Sequence, residues 1–170
     1  MEAWVKALCS WFESNQRPMP WRENREPYPI WISEMMLQQT QVATVIPYFQ
    51  RFMAAFPAVD VLAAASEDAV LKHWEGLGYY SRARNLHKAA KMLVADYKSV
   101  FPSSYDGLQR LPGVGPYAAA AIASIAFDVP VPVVDGNVMR VFTRFWGIFD
   151  DIRKPAVRQM LFDKLLVDLL

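Results

Sequence analysis

Leu111-Pro-Gly-Val-Gly-Pro-Tyr117 decides the fold. Two glycines flank Val114, which can turn inward and anchor the bend, and Pro116 suits the first position of a helix leaving it. That helix is nearly all alanine: Ala118, Ala119, Ala120, Ala121, Ala123 and Ala126 lie before Phe127. Small side chains let helices pack closely, and Gly113 and Gly115 permit positive φ or the near approach of another backbone. Backbone N–H groups at such a helix start attract phosphate. The same hairpin also fits a tight helix–helix turn with no ligand, and Gly-x-Gly alone is a weak signal. About eighteen residues on, Val134-Asp-Gly-Asn-Val138 delivers Asp135 at the end of an apolar run. Asp135 is a natural N-cap for the helix that follows, and a carboxylate near bound phosphate can also do chemistry.

Outward from the hairpin, the apolar periodicity is helical nearly everywhere. Trp4, Leu8, Trp11 and Phe12 define a first amphipathic helix, with Cys9 expected in its core face. Residues 16–29 hold Pro18, Pro20, Pro27 and Pro29 and read as a rigid connection. A helix is predicted from Ile30 to about Gln39, and another from Val42 to Phe56 that contains Pro47. Ser66, followed by Glu67 and Asp68, caps a short helix to Trp74. Further helices run through Leu86–Tyr97, Tyr105–Leu111 and Val138–Phe145, and from Pro155 through Leu165. Residues 129–134, with two prolines, form an extended connection rather than a strand. The expectation is an all-α chain of roughly nine short helices. The final residues, Lys164 to Leu170, place leucines on two faces and read as a helix stopping midway with its partner missing.

The 170 residues, 54% hydrophobic, suffice for one domain with a sizeable core. No apolar run approaches a membrane span, and Met1-Glu-Ala-Trp-Val-Lys6 is not a signal peptide. A single cysteine excludes internal disulfides and any multi-cysteine metal site within the chain. His73 and His87 are not spaced as a ligand pair and are expected on the surface. No phosphate loop of the Walker type is present. Cytosolic or nuclear life fits. The net charge of +1 is uninformative, but Lys72, Arg82, Arg84, Lys88, Lys91 and Lys98 outnumber Glu75 and Asp96. That stretch is either a nucleic-acid face or an ordinary solvated helix face.

Three further constellations carry chemistry. In Trp31-Ile-Ser-Glu-Met-Met-Leu-Gln-Gln-Thr40, Glu34 sits among apolar neighbours. Desolvation would raise its pKa toward that of a working general acid; an exposed glutamate on an amphipathic helix is the plainer alternative. Gln38 and Gln39 can read base edges or wedge into a duplex, and are also good helix formers. Leu77-Gly-Tyr-Tyr-Ser-Arg-Ala-Arg-Asn85 reads as a DNA-facing loop, with tyrosines stacking and arginines on phosphates, or as two core tyrosines at a helix start. Trp21-Arg22 invites the same two readings.

Taken together, these motifs resemble the helix-hairpin-helix DNA glycosylases. Pro20-Trp-Arg22, Ser33 to Val42, Val45-Ile-Pro-Tyr-Phe49, Trp74 to His87 and Val134 to Val138 more closely resemble the branch that removes adenine mispaired with 8-oxoguanine. The resemblance runs from Pro20 to the last residue. It implies two helical lobes, about 19–129 with the hairpin at 111–117, and 1–18 plus 130–170, the second incomplete, with DNA in the cleft between them. It implies a flipped adenine, Glu34 as its general acid, Asp135 stabilising the oxocarbenium-like sugar, and Asn137 orienting groups beside Asp135. Tyr117 stands where lyase branches carry lysine, which implies base excision without strand cleavage. Gln39, Leu77 and Tyr79 would probe the duplex, with Gln38 beside them; Trp21 and Arg22 would help line the adenine pocket; Gly113 and Gly115 would grip the backbone. The partner implied is duplex DNA with an adenine mismatch, bound by a monomer, with no membrane involved. Members of this family continue into a four-cysteine motif holding a [4Fe–4S] cluster, whose ligands this chain lacks, and many carry a further domain that recognises 8-oxoguanine. The rival expectation is a helix-hairpin-helix module that only grips the DNA backbone.

Overall fold

The computed structural model describes residues 3–169. Its elements are α1 (Ala3–Asn15), a 3₁₀ turn (Pro20–Arg22), α2 (Pro27–Leu37), α3 (Val42–Ala55), α4 (Val59–Ala64), α5 (Glu67–Trp74), α6 (Ser81–Tyr97), α7 (Tyr105–Gln109), α8 (Pro116–Phe127), α9 (Gly136–Phe145) and α10 (Pro155–Leu169). The described residues are all-α, as the periodicity predicts.

Local chemistry explains most boundaries. Ser66 Oγ accepts from the Ala69 N–H at 3.2 Å, and Ser104 Oγ from the Gly107 N–H at 3.1 Å, starting α5 and α7. Pro116 opens α8 from N-cap Gly115. Residues 129–134 form no helix or strand, as the two prolines predict, and carry buried Val131 and Val134 inward. Two boundaries differ from expectation. α2 begins at Pro27, not Ile30, because Pro27 and Pro29 fall in its first turn, where a missing N–H breaks no helical bond. α4 was not foreseen; its six residues are too few to show a period.

Two apolar clusters form the interior. The larger gathers α2 to α8 around Trp31, Phe52, Trp74, Leu86, Leu93, Leu108 and the alanines of α8. α2 packs along α8, whose alanines keep the two helices close. The smaller joins Val134 to Val157, Leu161 and Leu165 of α10, with Val138, Met139, Phe142 and Trp146 of α9. The 129–134 segment crosses from one to the other, with Val131 in the first and Val134 in the second.

α1 departs from its expected role. Trp4 packs against Phe142 and Phe145, at 6.0 and 5.4 Å between ring centroids, but α1 has no buried residue. Leu8, Trp11 and Phe12 face outward, and Cys9 is exposed rather than core. An apolar stripe is buried only where another element covers it, and no described element covers this one along its length.

His87 is the converse case. Expected on the surface, it is 2% exposed, with the carbonyls of Ala63 and Ala65, at the end of α4, beside its ring. Burial and, next, the Lys91 charge hold its pKa below the ordinary histidine value.

Candidate active site

A cleft of about 730 Å³ opens between the two clusters. One wall carries Glu34, Leu37, Gln38, Gln39, Gly115, Pro116, Tyr117 and Ala118; the other carries Val134, Asp135, Gly136, Met139 and Arg158. Glu34 and Asp135, about a hundred residues apart in the chain, thus line one space.

Glu34 projects from α2, whose residues from Tyr28 to Met36 are all buried. It is itself 7% exposed. Burial pushes its carboxyl up to about 7, and the Arg22 charge nearby opposes that rise without cancelling it. Arg22 ends the 3₁₀ turn and is exposed, while its neighbour Trp21 is 2% exposed and meets Phe49 edge-on at 5.2 Å. Trp21 therefore does not line the cleft as expected. The turn sinks the indole into the core as an anchor and leaves the arginine charge outside.

Asp135 is the N-cap of α9 and lies half-buried. Its Oδ1 accepts from the Val138 N–H at 2.7 Å, and its Oδ2 accepts from Asn137 Nδ2 at 3.1 Å. Asn137 Oδ1 in turn accepts from Arg140 Nη2 at 3.1 Å. The carboxylate is fixed on both oxygens.

Tyr117, in the first turn of α8, lies between these carboxyls electrostatically. Burial first, then the charges of Glu34 and Asp135, push its hydroxyl up to about 12. It stays a neutral hydrogen-bonding group at any working pH, and no lysine amine lines this cleft.

The two hairpin glycines differ. Gly113 has φ +79, and a Cβ there would meet Asn85 Cβ at 2.7 Å and Met35 Cε at 3.0 Å. Gly115 has φ −81 and open space where a Cβ would point, on the cleft side. Gly113 is therefore required by the fold, whereas Gly115 leaves room for something outside it.

The duplex-probing candidates separate as well. Gln39 is exposed with φ +58, and Tyr79 is 61% exposed with φ +48. Leu77, expected as a wedge, is 6% exposed and packs in the larger cluster. Arg82, expected on phosphate, is buried instead. Its Nη1 donates to the carbonyls of Met35, Met36 and Gln38 at 3.1, 2.7 and 2.6 Å. Its Nη2 donates to Thr40 Oγ1 and the carbonyls of Leu77 and Gly78 at 3.3, 3.3 and 3.2 Å. Arg84 pairs with Glu67 at 3.2 Å. Two of the six positive charges between 72 and 98 are thus engaged within the protein, and the four lysines stay exposed.

Iron–sulfur clusters take thiolate ligands. With Cys9 the single cysteine, and no metal-competent group of three or more His, Cys, Asp or Glu among the described residues, the residues present do not fit such a cluster. No described helix is long and apolar enough to cross a membrane.

The chain is similar to known DNA glycosylases. The chain is 43% identical over 157 residues to the adenine DNA glycosylase of Buchnera aphidicola subsp. Baizongia pistaciae, covering 92% of this chain and 44% of that protein. It is 46% identical to the adenine DNA glycosylase of Mus musculus, covering 92% of this chain and 32% of that protein. The chain thus spans less than half the length of these relatives. Among solved structures, a thermostable thymine-DNA glycosylase superposes with a TM-score of 0.83 at 25% identity, covering 97% of this chain and 83% of that one. Residues 32–165 match the family described as HhH-GPD superfamily base excision DNA repair protein. The chain belongs to that superfamily.

Proposed function

We propose that this chain carries the chemistry of a monofunctional adenine DNA glycosylase, hydrolysing the N-glycosidic bond of adenine opposite 8-oxoguanine or guanine in duplex DNA. The observation that carries this reading is Glu34. Its carboxyl, raised to about 7, shares the cleft with the doubly fixed carboxylate of Asp135. The likeness to proteins named adenine DNA glycosylase supports the choice of base.

The flipped adenine enters the cleft between Glu34 and Asp135. Glu34, about half protonated near neutrality, gives its proton to adenine N7. The C1′–N9 bond breaks, its electron pair leaves with the base, and positive charge develops on the sugar. Asp135 stabilises that charge as a carboxylate. A buried acid and a second, hydrogen-bonded carboxylate divide the work as in glycoside hydrolysis. Water adds to C1′ and releases a proton to solvent. Tyr117 provides no amine to attack C1′, so the phosphodiester backbone stays intact. The protein acts as a monomer on DNA inside the cell.

Single-turnover excision with this chain tests the proposal, on a duplex bearing adenine opposite 8-oxoguanine. Free adenine should appear, with strand breaks only after alkali. Glu34→Gln should slow release by about a hundredfold or more. Full activity in Glu34→Gln overturns the general-acid assignment, and nicking without alkali overturns the monofunctional one. Salt-dependent binding without base release would leave only a backbone-gripping module.

A further inference from the structure

Gln39 and Tyr79 are both exposed, both left-handed and both carry a Cβ. Backbone of that kind is unfavourable for such residues and persists where the surroundings hold it. Next to each lies an acceptor of the same guanidinium: the Gln38 carbonyl and Thr40 Oγ1 on one side, the Leu77 and Gly78 carbonyls on the other. We infer that Arg82 is a positioning residue that joins the Gln39 and Tyr79 tips into one rigid unit for entering the duplex. The role in DNA entry rests on the glycosylase reading; the joining of the tips does not.

The chemistry of the site fits only arginine. The 38–40 segment follows the C-terminal end of α2, where unpaired carbonyls carry partial negative charge. A buried cation there is held by oxygen dipoles, and no carboxylate bonds to it. The planar fork reaches six acceptors on two segments; a lysine, with one nitrogen and three donors, cannot span them. Trp74 completes the seat: its Nε1 donates to the Gly78 carbonyl at 3.1 Å, and the guanidinium lies 5.4 Å from its ring centroid. Tyr79's own ring lies 5.5 Å from the same guanidinium. Arg82 itself, 6% exposed, is placed to hold the tips and not to touch DNA.

Amide hydrogen exchange in the free protein tests the coupling independently of any activity. The Thr40 N–H is bonded to the Leu37 carbonyl and the Leu77 N–H to the Trp74 carbonyl, so each reports its own tip. In Arg82→Lys both amides should exchange about tenfold faster together. Acceleration at one alone, or at neither, overturns the proposal. If Arg82→Lys shows no cooperative melting, Thr40→Val carries the same measurement, since it removes one acceptor on one side. Faster exchange at Leu77 as well as Thr40 supports coupling, and a change confined to Thr40 overturns it. In single-turnover excision, Arg82→Lys should raise the half-saturating protein concentration about tenfold while keeping the plateau rate and its pH profile. A fall in plateau rate alone would overturn the assignment to duplex entry. Wild-type protein that excises nothing would instead count against the glycosylase reading, with the exchange result still deciding the coupling.

Discussion

Glu34 and Tyr117 face one cleft from two packed helices, and the glutamate bears on the tyrosine's proton. The glutamate's charge is among the causes that hold the tyrosine hydroxyl up near 12, second only to burial. The tyrosine therefore remains a neutral dipole beside the acid and never competes with it as a base.

The first prediction concerns rate and pH. Under the proposed mechanism Glu34 works in its protonated form, and burial raises its pKa to about 7. The single-turnover excision rate should be level below that value and fall about tenfold per pH unit above it. A rate that rises through pH 8 would show that Glu34 is not the acid.

The second concerns stability, with the opposite benefit. A carboxyl raised from 4.5 to about 7 on folding binds its proton more tightly in the native state. Stability therefore declines as pH rises from about 4.5 to about 7 and stays reduced above it. Glu34→Gln removes that loss. Denaturant titration should find it more stable than wild type by about 3 kcal/mol at pH 8 and nearly equal at pH 4. The acid is kept at the expense of fold stability.

The third separates the two duties of Asp135. Asparagine caps helices as well as aspartate does, so Asp135→Asn should retain the bond to the Val138 N–H. Its unfolding free energy should stay within about 0.5 kcal/mol of wild type. Excision should nonetheless fall on the order of a hundredfold or more, because no carboxylate remains to meet the sugar's positive charge. Equal activity in the two proteins would reduce Asp135 to a cap.

The fourth contrasts the hairpin glycines. Gly113→Ala combines left-handed backbone with a close contact to Asn85, and should cost about 2–3 kcal/mol in denaturant unfolding. Gly115→Ala meets neither obstacle and should cost less than about 1 kcal/mol. Its effect should appear in duplex affinity, where the added methyl occupies the space that a DNA backbone would use.

Features that depend on a few neighbouring residues were legible in the chain. Ser66 as a cap, Pro116 at a helix start, Asp135 before α9 and the irregular 129–134 segment all follow from local stereochemistry. Glu34 was legible because its apolar neighbours are contiguous. Arg82, His87 and Cys9 were misplaced because burial of a single side chain depends on what the rest of the fold lays over it. Arg82 reads as a phosphate ligand because five of its six acceptors are backbone carbonyls, three of them more than forty residues away, and carbonyls leave no mark in a sequence. Pro27 and Pro29 read as part of a rigid connection, though the same residues begin a helix when they fall in its first turn.

The alanines of α8 have a consequence for the reaction itself. Ala118 to Ala121 and Ala123 are all buried, with α2 packed along α8. The spacing of α2 and α8 is therefore set by methyl groups, of which Ala118 alone lines the cleft. One added methylene at Ala119 or Ala120 has no free volume to enter, and would part the helices and widen the slot for the base. On the proposed function, selectivity for the size of the base is thus tuned from behind the site, by residues that an inspection of the cleft wall alone would pass over.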